Sequence, residues 1–384
     1  MNLILLVGAF ISIVGLKGFK NHVLDTIQEL VIDSQYGHLQ IAKKNFWENS
    51  AVEQVTDKMI GNSEELMARI AKIEGVQYVS PRLSFYGLVN TQETSISARF
   101  VAINPEIERS VQKSILIFDG KEFKNSKETL VSTGMKSKLK VRSHDEITIV
   151  SPTLIGGINA MDLKVSGIFS SGFAEIDSGT AYLNIKDAHK ILDSEFVDLL
   201  VVRLDYEKDI PSVKEKISSL LGLNDFQVKS WVELAELYNQ VKTFYIFQNI
   251  FIEVIILLLL ILSVANTVTM NVFERLSEIG TLRALGDYES DIRSLFITES
   301  FLMGILSIVI AVPLSFIAIH IISGIHFQVM LPLASQAMDI KIIPSWDSYL
   351  EASLVCLLSA VASSLWPAHK GSKISVVTAL AAKI

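Results

Sequence analysis

Few residues in this 384-residue chain have the types and the spacing that catalysis would need. No G-x-x-x-x-G-K-[ST] segment occurs, so the sequence has no P-loop to hold a nucleotide phosphate. The seven histidines show no spacing of metal ligands. Ser110 and Lys113 have the S-x-x-K spacing of some acyl-enzymes, but the companion motifs are missing, and we interpret the pair as chance. The sequence therefore predicts a protein that is not an enzyme and that binds no cofactor or metal itself.

The most unusual ionisable residue is Glu253, because it lies in a strongly apolar run. Between Ile250 and Ala265, thirteen of sixteen residues are Ile, Leu, Val or Phe. Such a run favours membrane insertion by on the order of 6 kcal/mol, whereas one carboxylate costs at most about 3.5 kcal/mol, so the run is predicted to cross the membrane. An ionisable residue inside a span is by default functional. Because Glu253 is near the outer end, a solvated carboxylate is an equally good interpretation.

The composition agrees with a membrane protein. Half of the residues are hydrophobic and the mean hydropathy is positive, which indicates an integral membrane protein. A net charge of −7 gives no basic surface, which argues against nucleic acid as a partner. The single cysteine, Cys356, lies in another apolar run, and we interpret it as a small buried hydrophobic side chain.

A short charged segment, Met270–Ser300, follows the apolar run directly and predicts a helix, a turn and a second helix. Its apolar residues recur at helical spacing and are Ile279, Leu282, Leu285, Ile292, Leu295 and Phe296. Gly286 fits the left-handed stop of the first helix, and Asp287 fits the N-cap of the second. A helical hairpin between two membrane spans is suited to contact a partner.

The same segment carries a specific motif. Asn266–Gly286, with Asp291–Ser300 after it, resembles the signature of the FtsX/MacB-like permeases of ABC transporters, which has an E-R-x-x-E-I-G-x-x-R-A-L-G core. That core is present without departure at Glu274, Arg275, Glu278, Ile279, Gly280, Arg283, Ala284, Leu285 and Gly286. The resemblance implies that these residues and Leu282 form the element gripped by a cytoplasmic ABC ATPase dimer, which would hold ATP and Mg. Ile279, Leu282 and Leu285 are predicted to form the apolar contact face, and the charged residues to fix its orientation.

Two amphipathic stretches flank the region between the first two spans, and each predicts a stalk helix. Their apolar stripes are Phe19, Val23 and Ile27 in the first and Leu234, Leu237 and Val241 in the second. We predict that the two stalks pack on each other. The alternative is that each lies on the bilayer surface.

Between the stalks, residues 37–230 are predicted to form a soluble α+β domain. The predicted strands are His38–Ala42, Val76–Val79, Ser95–Ile103, Glu146–Val150, Leu163–Phe169, Thr180–Asn184 and Asp198–Leu204. The predicted helices are Glu64–Ile73, Lys186–Leu192 and Ser212–Leu221, and Leu130–Val150 is typical of a helix, a turn and a strand. Asp162–Leu192 resembles, more loosely, the extracytoplasmic domain of the lipoprotein-releasing branch of the family.

The predicted fold is an integral membrane protein with four transmembrane helices and a large α+β extracytoplasmic domain inserted between helices 1 and 2. The ranges are 1–16 (first span), 17–36 (stalk), 37–230 (domain), 231–270 (stalk and second span), 271–298 (cytoplasmic hairpin), 299–323 (third span), 324–349 (outer loop), 350–366 (fourth span) and 367–384 (cytoplasmic tail). The first span has only fourteen apolar residues against about 20 for a full crossing, which predicts that it is truncated or short. Hairpin and tail carry three basic residues each and the loop one, which places the hairpin and tail in the cytoplasm.

The resemblance implies a permease subunit of the bacterial inner membrane. It would pass the motion of the ATPase to the outer domain and so release or export a lipoprotein or other amphiphilic cargo. A second permease chain, identical or different, is implied, as is a periplasmic carrier or adaptor. Two alternatives stay open: MacB-like efflux of drugs or peptides, and mechanotransmission that activates a cell-wall hydrolase.

Overall fold

The computed structural model describes residues 2–48, 55–108, 115–222, 225–325, 327–330 and 337–381. The chain forms two compact units. The helical unit comprises Met1–Asp25, Lys242–Val329 and Met338–Ile384, and the sheet unit comprises Thr26–Val241 and Met330–Ala337. Ser110 and Lys113 lie outside the described residues.

The regular elements are numbered in chain order. The strands are β1 (Leu39–Lys43), β2 (Val76–Asn90), β3 (Ser95–Ile103), β4 (Leu116–Gly120), β5 (Glu128–Ser132), β6 (Glu146–Pro152), β7 (Ile158–Ser170), β8 (Thr180–Asn184), β9 (Leu199–Leu204), β10 (Phe226–Ser230), β11 (Phe327–Met330) and β12 (Ala337–Ile340). The helices are α1 (Asn2–Val31), α2 (Ser63–Ile70), α3 (Thr133–Leu139), α4 (Ala174–Asp177), α5 (Ile185–Leu192), α6 (Ile210–Leu221), α7 (Trp231–Leu234), α8 (Glu236–Glu274), α9 (Leu276–Ala284), α10 (Glu289–Ser323), α11 (Trp346–Ser372) and α12 (Val376–Ala381). A π-helical turn, Ile32–Tyr36, continues α1.

The sheet unit is built on one ten-stranded sheet in the order β10-β1-β9-β2-β3-β8-β5-β7-β4, with β6 paired to β2 and β7. The pairs β3–β8 and β5–β7 are parallel, and the other pairs are antiparallel. Strands occur at all seven predicted positions, but β2 is much longer than predicted because it continues through Pro81 to Asn90, pairing first with β9 and then with β3. Helices and sheet together confirm the α+β class.

Three strands of the sheet were missed by the sequence reasoning: β4, β5 and β10. The segment predicted to begin as a helix at Leu130 begins instead as β5, and helix α3 starts only at Thr133. The physical reason is that β5 lies between β7 and β8, where both of its faces are buried. A five-residue strand without polar alternation gives no periodic signal that separates it from a helix.

Among the described residues, four helices are long and apolar enough to cross a membrane: α1, α8, α10 and α11. Helix α1 is a single helix of 30 residues, about 45 Å at 1.5 Å per residue. It covers the range predicted for the first span and most of the range predicted for the first stalk.

Helices α10 and α11 pack through small residues. Gly304, Ser307, Ala311 and Ser315 of α10 are buried at helical spacing, and a Cβ at Gly304 would lie 3.4 Å from the Cβ of Ala360 on α11. The Ser307 hydroxyl donates to the Gly304 carbonyl at 2.7 Å, so no polar group is left unsatisfied there. Small residues permit this close approach of membrane helices. Cys356 of α11 is fully buried in the same core, as a small hydrophobic side chain.

Candidate functional site

The predicted hairpin is formed by the end of α8, helix α9 and the start of α10. Gly286 has a φ of 116°, and two hydrogen bonds close the end of α9 around it. The Gly286 N–H donates to the Arg283 carbonyl at 3.3 Å, and the Asp287 N–H donates to the Leu282 carbonyl at 3.2 Å. This is a Schellman motif, in which glycine is favoured because an L side chain is strained at positive φ. Gly286 thus sets the angle at which the chain leaves α9.

The start of α10 differs from the prediction by one residue. Tyr288, not Asp287, precedes the helix as its N-cap. The Tyr288 N–H donates to the Asp291 carboxylate at 2.9 Å. Asp287 was chosen because aspartate is a common N-cap, but here its N–H is used by the Schellman motif and the helix begins one residue later.

One face of α9 is buried inside the helical unit. Leu276, Ile279 and Gly280 are buried, and α9 packs against α12 of the C-terminal tail. Ile279 is only 4% exposed, so its predicted place on the partner-contact face is wrong. Ile279 belongs to the same buried cluster as Ile292, Phe296 and Ala368, and this packing against α10 and α11 is not visible in the hairpin sequence.

The opposite face of α9 and the turn after it are exposed. Leu285 is 81% exposed and Tyr288 76% exposed, and Leu282 is also exposed. We call these three residues the exposed apolar surface. Glu274, Glu278 and Asp287, which occur in the same segment, are exposed too. The hairpin therefore presents both apolar and acidic side chains to solvent. Tyr288 was not predicted, although an aromatic residue directly after the Gly286 turn was a usable signal.

The two arginines of the motif make contacts inside the helical unit. Arg275 Nε lies 2.9 Å from Glu278 Oε2, and Arg275 Nη1 lies 3.2 Å from Glu299 Oε2 on α10. Arg283 Nη1 donates to the Ser372 carbonyl at the end of α11 and lies 3.7 Å from Glu289 Oε1. These contacts join α9 to α10 and to the end of α11. That Arg275 and Arg283 help to fix the orientation of a partner stays a prediction.

The second stalk buries a different stripe from the one predicted. Trp231, Ala235 and Tyr238 are buried, whereas Leu237 is 46% exposed and Leu234 and Val241 are half-buried. The rings of Trp231 and Tyr238 lie 5.0 Å apart, and the Tyr238 hydroxyl donates to Gln28 Oε1 on α1 at 3.2 Å. Trp231 and Tyr238 are buried in place of the leucines because the aromatic pair buries more apolar area and the Tyr238 hydroxyl still has a hydrogen-bond partner. In the first stalk Val23 and Ile27 are buried and Phe19 is half-buried.

Glu253 is part of an ion-paired cluster in the helical unit. Its Oε1 lies 3.1 Å from Lys17 Nζ on α1, and it accepts a hydrogen bond from Asn249 Nδ2 at 3.1 Å. Lys17 also pairs with Glu351 on α11. We call Lys17, Glu253 and Glu351 the ionic cluster. Glu253 is therefore neither isolated in the span nor free in solvent. It joins three membrane helices through one lysine.

The chain is similar to known permeases. Residues 250–376 match the model of the family described as FtsX-like permease C-terminal. An uncharacterized ABC transporter permease of Methanocaldococcus jannaschii is 24% identical over 222 residues, which cover 56% of this chain and 54% of that protein. The lipoprotein-releasing system transmembrane protein LolC of Xylella fastidiosa is 22% identical over 389 residues, which cover 95% of this chain and 88% of that protein. The chain thus spans about half the length of the first relative and most of the second.

Among solved structures, the periplasmic region of MacB from Actinobacillus actinomycetemcomitans aligns with 56% of this chain and 97% of its own length. The identity is 14% and the TM-score is 0.41.

Proposed function

Because the chain belongs to the FtsX/MacB-like family of ABC transporter permeases, we propose that it transmits ATP-driven motion of a separate cytoplasmic ATPase dimer to its extracytoplasmic domain. It is a multi-pass protein of the inner membrane, with four spans and a large α+β domain between the first two. The domain releases or exports a lipoprotein or other amphiphilic cargo. It acts with a second permease chain and with a periplasmic carrier or adaptor.

The observation that carries this proposal is the division of α9 into two faces. Ile279 and Gly280 are buried, and the Schellman motif at Gly286 fixes the end of the helix. Leu285 and Tyr288 are left projecting from this held helix into solvent. A groove on a partner binds such an exposed apolar helix face by burying it. The exposed carboxylates Glu274, Glu278 and Asp287 of the same segment favour a groove with basic residues at its rim.

The contacts of Arg275 and Arg283 supply the route for motion. Because Arg275 is paired with Glu299 on α10 and Arg283 is bonded to the Ser372 carbonyl on α11, a displaced α9 pulls on both helices. Helix α8 runs without interruption from Glu236 to Glu274, so it carries the displacement toward the stalk.

The cargo class is supported by one comparison and one segment. The similarity to LolC, whose name states a role in releasing lipoproteins, extends over 95% of this chain. The segment Asp162–Leu192 resembles that branch of the family and folds into the end of β7, α4, β8 and α5. Lipoprotein release is therefore our first choice of cargo handling.

Replacement of Leu285 tests the proposal. Burying a leucine side chain is worth roughly 1.5–3 kcal/mol, so Leu285→Ala should weaken binding of the cognate ATPase by about tenfold or more. Leu285→Asp should abolish it. Affinity is measured by pull-down of the purified ATPase at graded concentrations.

Leu116→Asp is the matched control, because Leu116 is an exposed leucine on β4 of the sheet unit. It should leave the affinity unchanged. If Leu285→Asp binds the ATPase as wild type does, the hairpin is not the docking element and the coupling proposal fails.

A further inference from the structure

The sheet unit contains two cavities that share three wall residues, Gln35, Tyr36 and Glu175. The larger has a volume of about 320 Å³ and is lined by both aromatic and charged side chains. The smaller has a volume of about 80 Å³ and is mostly apolar, with Ile27, Val31, Phe173 and Tyr238 in its wall. Sites for small molecules begin at roughly 300 Å³ and combine apolar walls with a few placed polar groups. The larger cavity meets both conditions.

Arg82, a wall residue of the larger cavity, is buried and rigidly held. It is 6% exposed. Its Nε donates to Glu108 Oε2 at 2.9 Å, and its Nη1 donates to the Gln35 carbonyl. Glu108 is fully buried and neutralises it. Nη2 also donates to Glu108. Three of the five guanidinium N–H groups are therefore used, and two have no partner among the described residues. A buried arginine in the cavity wall thus keeps two N–H groups that can donate hydrogen bonds to a ligand.

The remaining charges of this cavity are one arginine and two carboxylates. Arg99 is exposed and has no ion-pair partner in the part of the chain that the structure describes. Glu175 is exposed as well, at the junction of the two cavities. Asp198 is half-buried, and its Oδ2 accepts from the Ser84 N–H at 2.6 Å. Since the charges of Arg82 and Glu108 cancel, a headgroup in this cavity is exposed to one net cation, Arg99, and to the carboxylates of Glu175 and Asp198.

The aromatic lining suits the cationic half of such a headgroup. Tyr36, Phe46 and Trp47 all line the larger cavity. Aromatic faces attract alkylammonium groups through the ring quadrupole, and here a carboxylate is close by. Lys229 Nζ lies 4.8 Å from the centre of the Trp47 ring, so this ring already contacts one ammonium group.

The cavity is shaped by an irregular helix end. Gln35 and Tyr36 belong to the π-helical turn that ends the first stalk, and Gly37 follows it at a φ of 62°. π-Helical turns occur frequently at functional sites. Because the Gln35 carbonyl accepts from Arg82, this turn is fixed to the polar wall.

We propose that these two cavities form one binding site for an amphiphile with a zwitterionic headgroup, its anion on Arg99 and Arg82, its cation at Glu175 and the aromatic wall, and its chain in the apolar cavity. The proposal rests on the function proposed above and deepens it by naming the chemical class of the cargo. An 80 Å³ cavity holds only a few methylene groups, so the site grips the headgroup and the first part of the chain.

Binding of octylphosphocholine to the full chain tests the site. The protein is held in a neutral maltoside detergent, and affinity is measured by equilibrium dialysis of radiolabelled octylphosphocholine against empty micelles. We expect wild type to bind it at least tenfold more tightly than octanoate, octyltrimethylammonium or phosphocholine without a chain. Equal binding of octanoate or octyltrimethylammonium would overturn the zwitterion assignment, and equal binding of phosphocholine would overturn the role of the apolar cavity.

Two exposed wall residues provide the variants. Arg99→Glu should lower the affinity for octylphosphocholine at least tenfold, and Glu175→Gln about threefold to tenfold. Arg142→Glu, the same charge change at an exposed arginine outside the cavity, should bind as wild type. If Arg99→Glu also binds as wild type, the site is not here. ATPase pull-down by the same proteins keeps the two proposals apart, because a wild type that binds the ATPase but not octylphosphocholine refutes only the cargo site.

Discussion

Loss of the lysine in the ionic cluster should destabilise the helical unit more than loss of either carboxylate. Lys17 is 9% exposed and pairs with both Glu253 and Glu351. Removing one partner of a buried ion pair costs about 3–5 kcal/mol, because it leaves an uncompensated charge. The side chain of Glu351 is 56% exposed, so water screens its share. For Lys17→Met we therefore expect the lower end of that range, about 3 kcal/mol.

The carboxylates should rank below the lysine. Glu253→Gln leaves Lys17 paired with Glu351 and keeps an acceptor for Asn249, so we expect a loss of about 1–2 kcal/mol. Glu351→Gln should cost at most about 1 kcal/mol, as for other solvent-exposed pairs. The double variant Lys17→Met with Glu253→Gln should be more stable than Lys17→Met alone, since it leaves no unpaired buried charge.

Reversible unfolding in mixed detergent micelles, followed by circular dichroism, measures these differences in the free energy of unfolding. Lys20→Met is the matched control. Lys20 lies one helical turn further along α1, is half-buried, and is in no ion pair among the described residues. If Lys17→Met unfolds at the same detergent fraction as Lys20→Met, or if the double variant is less stable than Lys17→Met, the cluster does not hold the three helices together.

Two further predictions concern topology and pH. Single cysteines at Ser178 and Asn125 should react with an impermeant thiol reagent added to whole cells with a permeable outer membrane, whereas one at Ser290 should react only after lysis. Labelling of a cysteine at Ser290 in intact cells would show that the predicted orientation is reversed. The parent protein, with only the buried Cys356, gives the background labelling. Burial raises the pKa of Asp198 to about 6 from 3.8, so its contribution to stability is full below pH 4 and is lost as pH rises through 6. Asp198→Asn should therefore stabilise the protein at pH 7.5 by about 1–3 kcal/mol, and thermal unfolding at pH 7.5 and pH 4.5 should show that this gain shrinks in acid. A gain that is equal at both pH values would contradict the assignment.

The sequence predicted the membrane helices and most of the sheet because both depend on local patterns. Thirteen apolar residues of sixteen identify α8 whatever surrounds it. The short strands β4, β5 and β10 were missed, since each forms by pairing with strands that are distant in the chain. The buried residues of the second stalk were mispredicted for the same reason. Leu237 and Tyr238 are adjacent, and Tyr238 is the one that bonds to the distant Gln28.

Charged residues of the helical unit were the hardest to interpret. Glu253 looks isolated in its own segment, and its partners Lys17 and Glu351 are more than 90 positions away on either side. Arg283 looks like a free charge on a hairpin, yet it bonds to the carbonyl of Ser372. Each of these contacts is made between elements distant in sequence, so no spacing rule could have found it.

The residues of the hairpin separate into those that hold α9 in the helical unit and those that are exposed. Ile279 and Gly280 are buried, Arg275 and Arg283 are bonded within the unit, and Gly286 forms the turn. Of the three residues Leu282, Leu285 and Tyr288, only Leu285 belongs to the motif core. The motif therefore consists mostly of residues that hold α9 in place, and two of the three residues of the exposed apolar surface lie outside it. Specificity for one ATPase over another should accordingly follow Leu282 and Tyr288, while the capacity to bind any ATPase should follow the buried and bonded positions.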